Sequence, residues 1–189
     1  IIFVSLFIMF SELINFFLIV TLVTIQSIVG IGVLVVGTPT LLLLNASIIE
    51  AMNFLLPISI ITSFLNILLI KYKDNFIYYD LNRSKLFFII CIPFVFVGLV
   101  ILKYTNKLIN YDYLVSFLII ITLIYKDNIS NLLKNLSIKS TKIILMFIGI
   151  IHGLTNSGGT LLSIFSMNLN NSKSKSRSEI TVFYLFLAL

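Results

Sequence analysis

A run of 32 residues without one charged side chain, from Leu13 to Leu44, restricts what this chain can fold into. As a single α-helix the run would be about 48 Å long, whereas the hydrocarbon core of a bilayer is about 30 Å thick. Gly30, Gly32, Gly37 and Pro39 interrupt the run, and these residue types weaken or end helices. We therefore predict a helix, a break and a second helical piece inside a membrane.

The rest of the chain has the same apolar character. Of its 189 residues, 59% are hydrophobic and 11% are charged, whereas a soluble domain is about 45–50% apolar and about 25% charged. Too few polar residues are present to cover a soluble enzyme, and the apolar content excludes a disordered chain. Further apolar segments lie at 51–70, 86–102, 108–125, 143–167 and from residue 180 onward.

A spanning helix needs about 20 apolar residues, so the chain holds roughly six crossings. We predict an all-α, polytopic integral membrane protein of the cytoplasmic membrane, surrounded by the lipid bilayer. The chain begins with Ile1 rather than Met and ends inside an apolar run at Leu189. We therefore expect the last part of the membrane domain to be truncated.

The charged residues lie between the apolar segments and predict a topology. The net charge is +6, from 13 Lys and Arg and 7 Asp and Glu. Segments 71–85 and 126–142 carry four Lys or Arg each, and segments 103–107 and 173–177 carry five together. If each apolar segment crosses once, the charged segments 71–85 and 126–142 lie on the same side of the membrane. The positive-inside rule makes that side cytoplasmic. This placement fails if the first apolar segment is a re-entrant hairpin.

The sequence lacks the residues that catalysis, metal binding or base stacking would need. Cys91 and His152 are the single residues of their types, so they cannot build a metal cluster. No span contains paired carboxylates, and no Walker loop or Gly-x-Ser-x-Gly motif occurs. The basic segment 170–177 contains no aromatic residue that could stack on bases. We predict no enzyme, no cofactor and no nucleic-acid partner, and we expect 170–177 to face solvent or lipid headgroups.

Two similar segments suggest an internal repeat. Residues 25–33 and 151–159 each place a polar residue and a small-residue break inside an apolar segment, 126 positions apart. Glu50 and Glu179 follow them, 129 positions apart, and we expect each to start a helix, where the helix dipole favours negative charge. The predicted organisation is a first membrane repeat at 1–125, a basic cytoplasmic loop at 126–142 and the start of a second, truncated repeat at 143–189.

Helix breaks inside a membrane expose backbone N–H and C=O groups, which is tolerated only where the break is buried in protein or lines a cavity. Paired glycine-broken segments point to a transporter's binding site, and the N-termini of half-helices favour anions. The alternative is that the glycines only allow close helix packing. The candidate substrate-binding residues are Gln26, Gly30, Gly32, Thr38, Pro39, His152, Asn156, Ser157, Gly158, Gly159 and Thr160.

The same residues carry a family resemblance. Gly30-Ile31-Gly32, Gly37-Thr38-Pro39 and Glu50-Ala51 resemble the first repeat of the TauE/SafE family of sulfite exporters. His152-Gly153-Leu154 with Gly158-Gly159 resembles the second repeat. The resemblance implies a permease or exporter for small sulfur-containing or organic anions, such as sulfite and sulfonates.

We therefore predict a small-anion transporter that binds its substrate between two glycine-broken helices. The alternatives are a channel-like pore and a membrane scaffold that transports nothing. His152 would pair with the anion or carry a coupling proton, because histidine changes charge near physiological pH; the alternative is a neutral histidine bonded between helices. Gln26, at the matching place, would supply an amide donor or an interhelical hydrogen bond.

Overall fold

The computed structural model describes residues 2–29, 33–74, 80–125, 128, 138–170 and 172–188, and within those ranges it contains helices and no strand. The predicted all-α class is confirmed for this part of the chain. The helices are α1 (Ile2–Val29), α2 (Val33–Leu43), α3 (Ile48–Asp74), α4 (Leu81–Thr105), α5 (Tyr111–Ile124), α6 (Ile138–Thr155), α7 (Gly159–Leu169) and α8 (Lys173–Ala188). The α4 helix includes a π-helical segment at Phe87–Cys91.

In the described part of the chain, two helices are long and apolar enough to cross a membrane. They are Ile48–Tyr72 within α3 and the whole of α4, each 25 residues long, with mean hydropathies of 2.0 and 2.8. Twenty-five helical residues extend over about 37 Å. Both helices turn large apolar side chains outward, for example Phe96, which is 63% exposed. Shorter apolar helices surround them, including α2, α5 and α7.

The helices α1 and α2 form a hairpin and not one continuous crossing. The N–H of Val33, the first residue of α2, donates to Oε1 of Gln26 over 3.0 Å. Further along α2, a Cβ at Gly37 would lie 3.0 Å from the side chain of Leu22. Because later positions of α2 meet earlier positions of α1, the two helices run antiparallel. The residues between them, 30–32, lie outside the described ranges.

The predicted interruptions at Gly37 and Pro39 are wrong, since α2 continues through both residues. Glycine at position 37 serves packing, because a Cβ there would lie 2.8 Å from the side chain of Leu55. Proline at position 39 removes one N–H from the helix, and the remaining hydrogen bonds still hold the helix together. With 11 residues, α2 is about 16 Å long, half the thickness of a bilayer core.

The helices α6 and α7 form a second hairpin. The predicted second break is confirmed between Thr155 and Gly159. A Cβ at Gly158 would lie 2.6 Å from the Cβ of His152, so the chain turns back against α6. Asn156 begins this turn with a φ of 58°, in the left-handed region that asparagine tolerates better than most residues.

The second hairpin opens at the end of the molecule where α4 begins. Helix α6 runs parallel to α4, because Gly149 lies against Cys91 and Gly153 lies further along against Gly98. Helix α7 returns to the same end, where the carbonyl oxygen of Leu169 accepts a hydrogen bond from Arg83 in the first turn of α4. The first hairpin opens at the opposite end, because residues 44–47 connect α2 to the start of α3.

The end of the molecule where α3 ends and α4 begins collects most of the positive charge, and we call it the basic end. The Lys and Arg of the described helices that lie there are Lys71, Lys73, Arg83, Lys85, Lys139, Lys142, Lys173, Lys175 and Arg177. Lys103 and Lys107 lie at the other end. Single crossings would place 173–177 at the end opposite 71–85. This prediction is wrong, because the apolar segment 143–167 folds back on itself.

Helices α3 and α8 pack along each other in antiparallel directions. Near the basic end, Asn66 and Ile180 line one cavity. Deeper in the molecule, Leu56 and Leu187 line another. Since the residue number falls along α3 while it rises along α8, this register places the middle of α8 beside the middle of α3.

Helices α4 and α6 approach closely through glycines. A Cβ at Gly98 would lie 2.5 Å from the carbonyl oxygen of Ile150, and one at Gly149 would lie 3.0 Å from the Cβ of Phe94. Gly153 faces the Val95 carbonyl in the same contact. Close backbone packing through small residues therefore explains these three glycines, none of which is a candidate site residue.

The two glutamates expected at helix starts behave differently. Glu50 confirms the expectation: its Oε2 accepts hydrogen bonds from the N–H and Oγ of Ser47 over 2.7 and 2.8 Å, and these residues form a capping box. For Glu179 the prediction is wrong, because α8 begins six residues earlier at Lys173. Helix α6 likewise begins at Ile138, inside the predicted loop.

Candidate functional site

The tip of the second hairpin meets the middle of α2 inside the molecule. The Nδ2 of Asn156, in the second break, donates to Oγ1 of Thr38 on α2 over 3.1 Å, although the two residues are 118 positions apart. Asn156 is 1% exposed and Thr38 is 0% exposed. The contact brings together one candidate residue from each hairpin at a buried position.

Gln26 joins three helices beside this contact. Its Oε1 accepts from the first N–H of α2, as described above, and its Nε2 donates to Oγ of Ser63 on α3 over 3.0 Å. The side chain is 1% exposed. Both ends of the amide therefore bond to neighbouring helices. Of the two roles that the sequence left open for Gln26, this is the interhelical hydrogen bond. The next N–H groups of the first turn of α2 have no partner within a helix.

The N-terminus of α7 begins without a side-chain cap among the described residues, since Gly158 occupies the N-cap position. Ser157 and Thr160 direct their hydroxyls to local carbonyls, Ser157 to Thr155 over 3.1 Å and Thr160 to Ser157 over 3.0 Å. The first-turn N–H groups of a helix carry the positive end of its dipole. This end of α7 can therefore donate to the oxygens of an anion.

His152 lies one helical turn before the second break and is 2% exposed. Its Nε2 lies 3.2 Å from the carbonyl oxygen of Leu187 on α8, so this nitrogen is the one that donates. Its Nδ1 is buried without a hydrogen-bond partner in the described part of the chain. His152 and Asn156 also line a mainly apolar cavity of about 280 Å³ between α3, α4, α6 and α8.

A stripe of polar side chains on α3 leads away from Gln26. Ser59, Ser63 and Asn66 follow one another at intervals of four and three residues, which places them on one face of the helix. All three are at most 5% exposed. Sequence analysis missed them, although their helical spacing inside the apolar segment 51–70 was the signal that could have revealed them.

Basic side chains line a cavity of about 820 Å³ at the basic end, between α1, α3, α7 and α8. Lys173 and Arg177 contribute the charges, and Asn66 and Ser27 contribute polar groups. Arg177 also donates to the carbonyl oxygen of Ser27 in the last turn of α1. The segment expected to face solvent or lipid headgroups therefore starts a helix and lines a cavity that reaches the first hairpin.

A buried carboxylate lies beside this cavity. Glu179 is 1% exposed and accepts hydrogen bonds from Ser166 over 2.7 Å and from Asn170 over 2.5 Å. The guanidinium of Arg83 on α4 lies 3.5 Å from its other oxygen. Arg83 also pairs with Asp80 over 3.4 Å. This cluster fastens the start of α4 to the corner between α7 and α8.

The other candidate residues lie at different places. Gly30 and Gly32 are outside the described residues. Pro39 is partly buried within α2, one position after Thr38. Gly159 packs against the ring of Tyr184 on α8, a residue that the sequence did not single out.

Comparison with known proteins identifies one family. A family model described as sulfite exporter TauE/SafE matches residues 15–189, a range that includes α1 from residue 15 onward and all the later helices. No curated protein and no solved structure matches the chain. The family inferred from the glycine motifs is therefore confirmed.

Proposed function

Because the chain belongs to the TauE/SafE sulfite exporter family, whose members are membrane transporters and not enzymes, we propose that it carries a small anion across the cytoplasmic membrane. The observation that carries this proposal is the buried hydrogen bond from Asn156, at the tip of the second hairpin, to Thr38 in the middle of α2. Two half-helices that end at the middle of a membrane domain create a site for a small charged substrate.

The proposed membrane placement rests on exposed apolar surface and on charge. The outward side chains of α3 and α4 suit hydrocarbon, and the two hairpins enter from opposite ends, as in an inverted repeat. Nine Lys and Arg of the described helices lie at the basic end and two lie at the other end. The positive-inside rule then makes the basic end cytoplasmic, so 71–85 and 173–177 share that side.

The anion would bind at the N-terminal turn of α7 and leave or enter through the basic cavity. The α7 terminus supplies N–H donors without a competing side-chain cap, and none of the described residues that line the cavity is acidic. Arg177 and Lys173 would raise the local anion concentration at its mouth. The polar stripe of α3 would then solvate the anion between the mouth and the hairpin tips.

Uptake of radiolabelled sulfite into proteoliposomes tests this function. We expect saturable uptake, and we expect Thr38→Val to slow it about fivefold, because the Asn156 bond is worth about 1 kcal/mol. Thr40→Val is the matched control, since that hydroxyl bonds to Val36 of its own helix. An ohmic current would identify the protein as a pore. Absence of flux through the wild-type protein would favour the alternative of a membrane scaffold that transports nothing.

His152 has a second proposed role, in coupling transport to protons. Its unpartnered Nδ1 and its place one turn before the break support this proposal. We expect His152→Gln to flatten the dependence of sulfite uptake on pH, because glutamine cannot take up a proton. An unchanged pH profile would assign His152 to the neutral interhelical bond with Leu187 alone.

A further inference from the structure

Two buried hydroxyl groups in the middle of the molecule have no hydrogen-bond partner among the described residues. They are Oη of Tyr184 on α8 and Oγ of Ser59 on α3, and both residues are 0% exposed. Buried side-chain polar atoms in native proteins are mostly hydrogen-bonded. Neither hydroxyl is therefore bonded within the described part of the chain, which leaves both able to donate to a bound ligand.

The hydroxyl of Tyr184 lies at the N-terminus of α7. A Cβ added to Gly159 would collide with this hydroxyl and would lie 2.8 Å from Cε2 of the ring. The end of the ring thus occupies the space that the glycine leaves open, at the first residue of α7. The Tyr184 hydroxyl therefore lies in contact with the first turn of α7.

The register between α3 and α8 brings Ser59 to the level of Tyr184. Leu56 and Leu187 line one cavity. Ser59 lies one turn from Leu56, and Tyr184 lies one turn from Leu187, in each case toward the basic end. Residues one turn apart share a helix face, so both hydroxyls belong to the contact between α3 and α8.

We propose that the hydroxyls of Tyr184 and Ser59 donate hydrogen bonds to two oxygens of the transported anion, with the first-turn N–H groups of α7 as further donors. The inference rests on the proposed function and names the groups that bind its substrate. Two separate hydroxyl donors and a helix terminus suit an oxyanion with three oxygens, such as sulfite or a sulfonate headgroup.

The test measures the concentration dependence of sulfite uptake by Tyr184→Phe and Ser59→Ala in proteoliposomes. Each variant should raise KM about tenfold or more, because a hydrogen bond to a charged group is lost. Thermal stability without sulfite should stay near that of the wild-type protein, since neither hydroxyl has a protein partner. Sulfite should raise the melting temperature of the wild-type protein and raise it less in the variants.

Ser178→Ala is the matched control. This hydroxyl is also buried and unpartnered on α8, but it lies six residues before Tyr184, about 240° around the helix. Its KM should stay unchanged. An unchanged KM in both Tyr184→Phe and Ser59→Ala would overturn the inference and leave the proposed function standing, and so would an equal rise in the control. A wild-type protein without saturable sulfite uptake would overturn the proposed function itself, and this inference with it.

Discussion

Replacing Arg83 with glutamine should destabilise the corner between α4, α7 and α8 by about 2 kcal/mol. The carboxylate of Glu179 is 1% exposed, and the Arg83 guanidinium 3.5 Å away supplies its cation. Removing one partner of a fully buried ion pair costs about 3–5 kcal/mol. Because the Arg83 side chain is 29% exposed, water screens part of its charge, which lowers the expected loss to about 2 kcal/mol.

A double-mutant cycle in mixed micelles measures this coupling. Arg83→Gln and Glu179→Gln are each unfolded with increasing SDS and followed by helical circular dichroism, together with the double variant. The double variant should recover about 0.5–3 kcal/mol relative to the sum of the single losses, because it leaves no uncompensated charge. Lys85→Gln, at an exposed position on the same turn, is the control and should change little. Additive losses would refute the view that Glu179 depends on Arg83.

Three further substitutions test other parts of the molecule. Gly153→Ala should cost about 1–3 kcal/mol of unfolding free energy, because its Cβ would lie 3.0 Å from the Cα of Gly98; wild-type stability would contradict the close α4–α6 contact. Ser47→Ala should cost about 1 kcal/mol through the lost helix cap and leave the KM for sulfite unchanged. Gln26→Leu should lower the unfolding free energy by about 1–3 kcal/mol and lower the maximal rate of sulfite uptake, because the Val33 N–H loses its acceptor. A normal rate would show that the bond from Val33 to Gln26 does not position α2 for transport.

The apolar segments predicted the long helices well, because a helix buried in lipid must be apolar along its whole length. Segments 51–70, 86–102 and 108–125 correspond to α3, α4 and α5. Hydropathy could not show whether a broken segment continues or turns back, since a returning half-helix has the same composition as a continuing one. The direction depends on local geometry, such as the left-handed φ of Asn156, and on contacts between helices.

The second break was predicted because its signal is local. A break marked by Asn156, Gly158 and small polar residues is visible in a short stretch of sequence, and so is its likeness to the first break. The role of Ser59 depends on the packing of α3 against α8, and the burial of Glu179 depends on Arg83, 96 positions earlier. Such pairings need the tertiary structure, because nothing near either residue in the sequence indicates its partner.

The opposite end of the proposed pathway is closed by apolar packing. Buried residues there form one cluster: Leu42, Ile48, Met52, Leu102, Tyr111 and Val115. Exposing all six to water would cost about 9–18 kcal/mol at about 1.5–3 kcal/mol for each side chain, which is too much for a transport cycle. The cluster must therefore move largely as a unit. The contact between the tip of the second hairpin and α2 offers a less costly parting surface, since the bond between Asn156 and Thr38 is worth about 1 kcal/mol, whereas the glycine-mediated contact of α4 with α6 is extensive. We therefore expect alternating access to separate α2 from α7 and to leave α4 and α6 together.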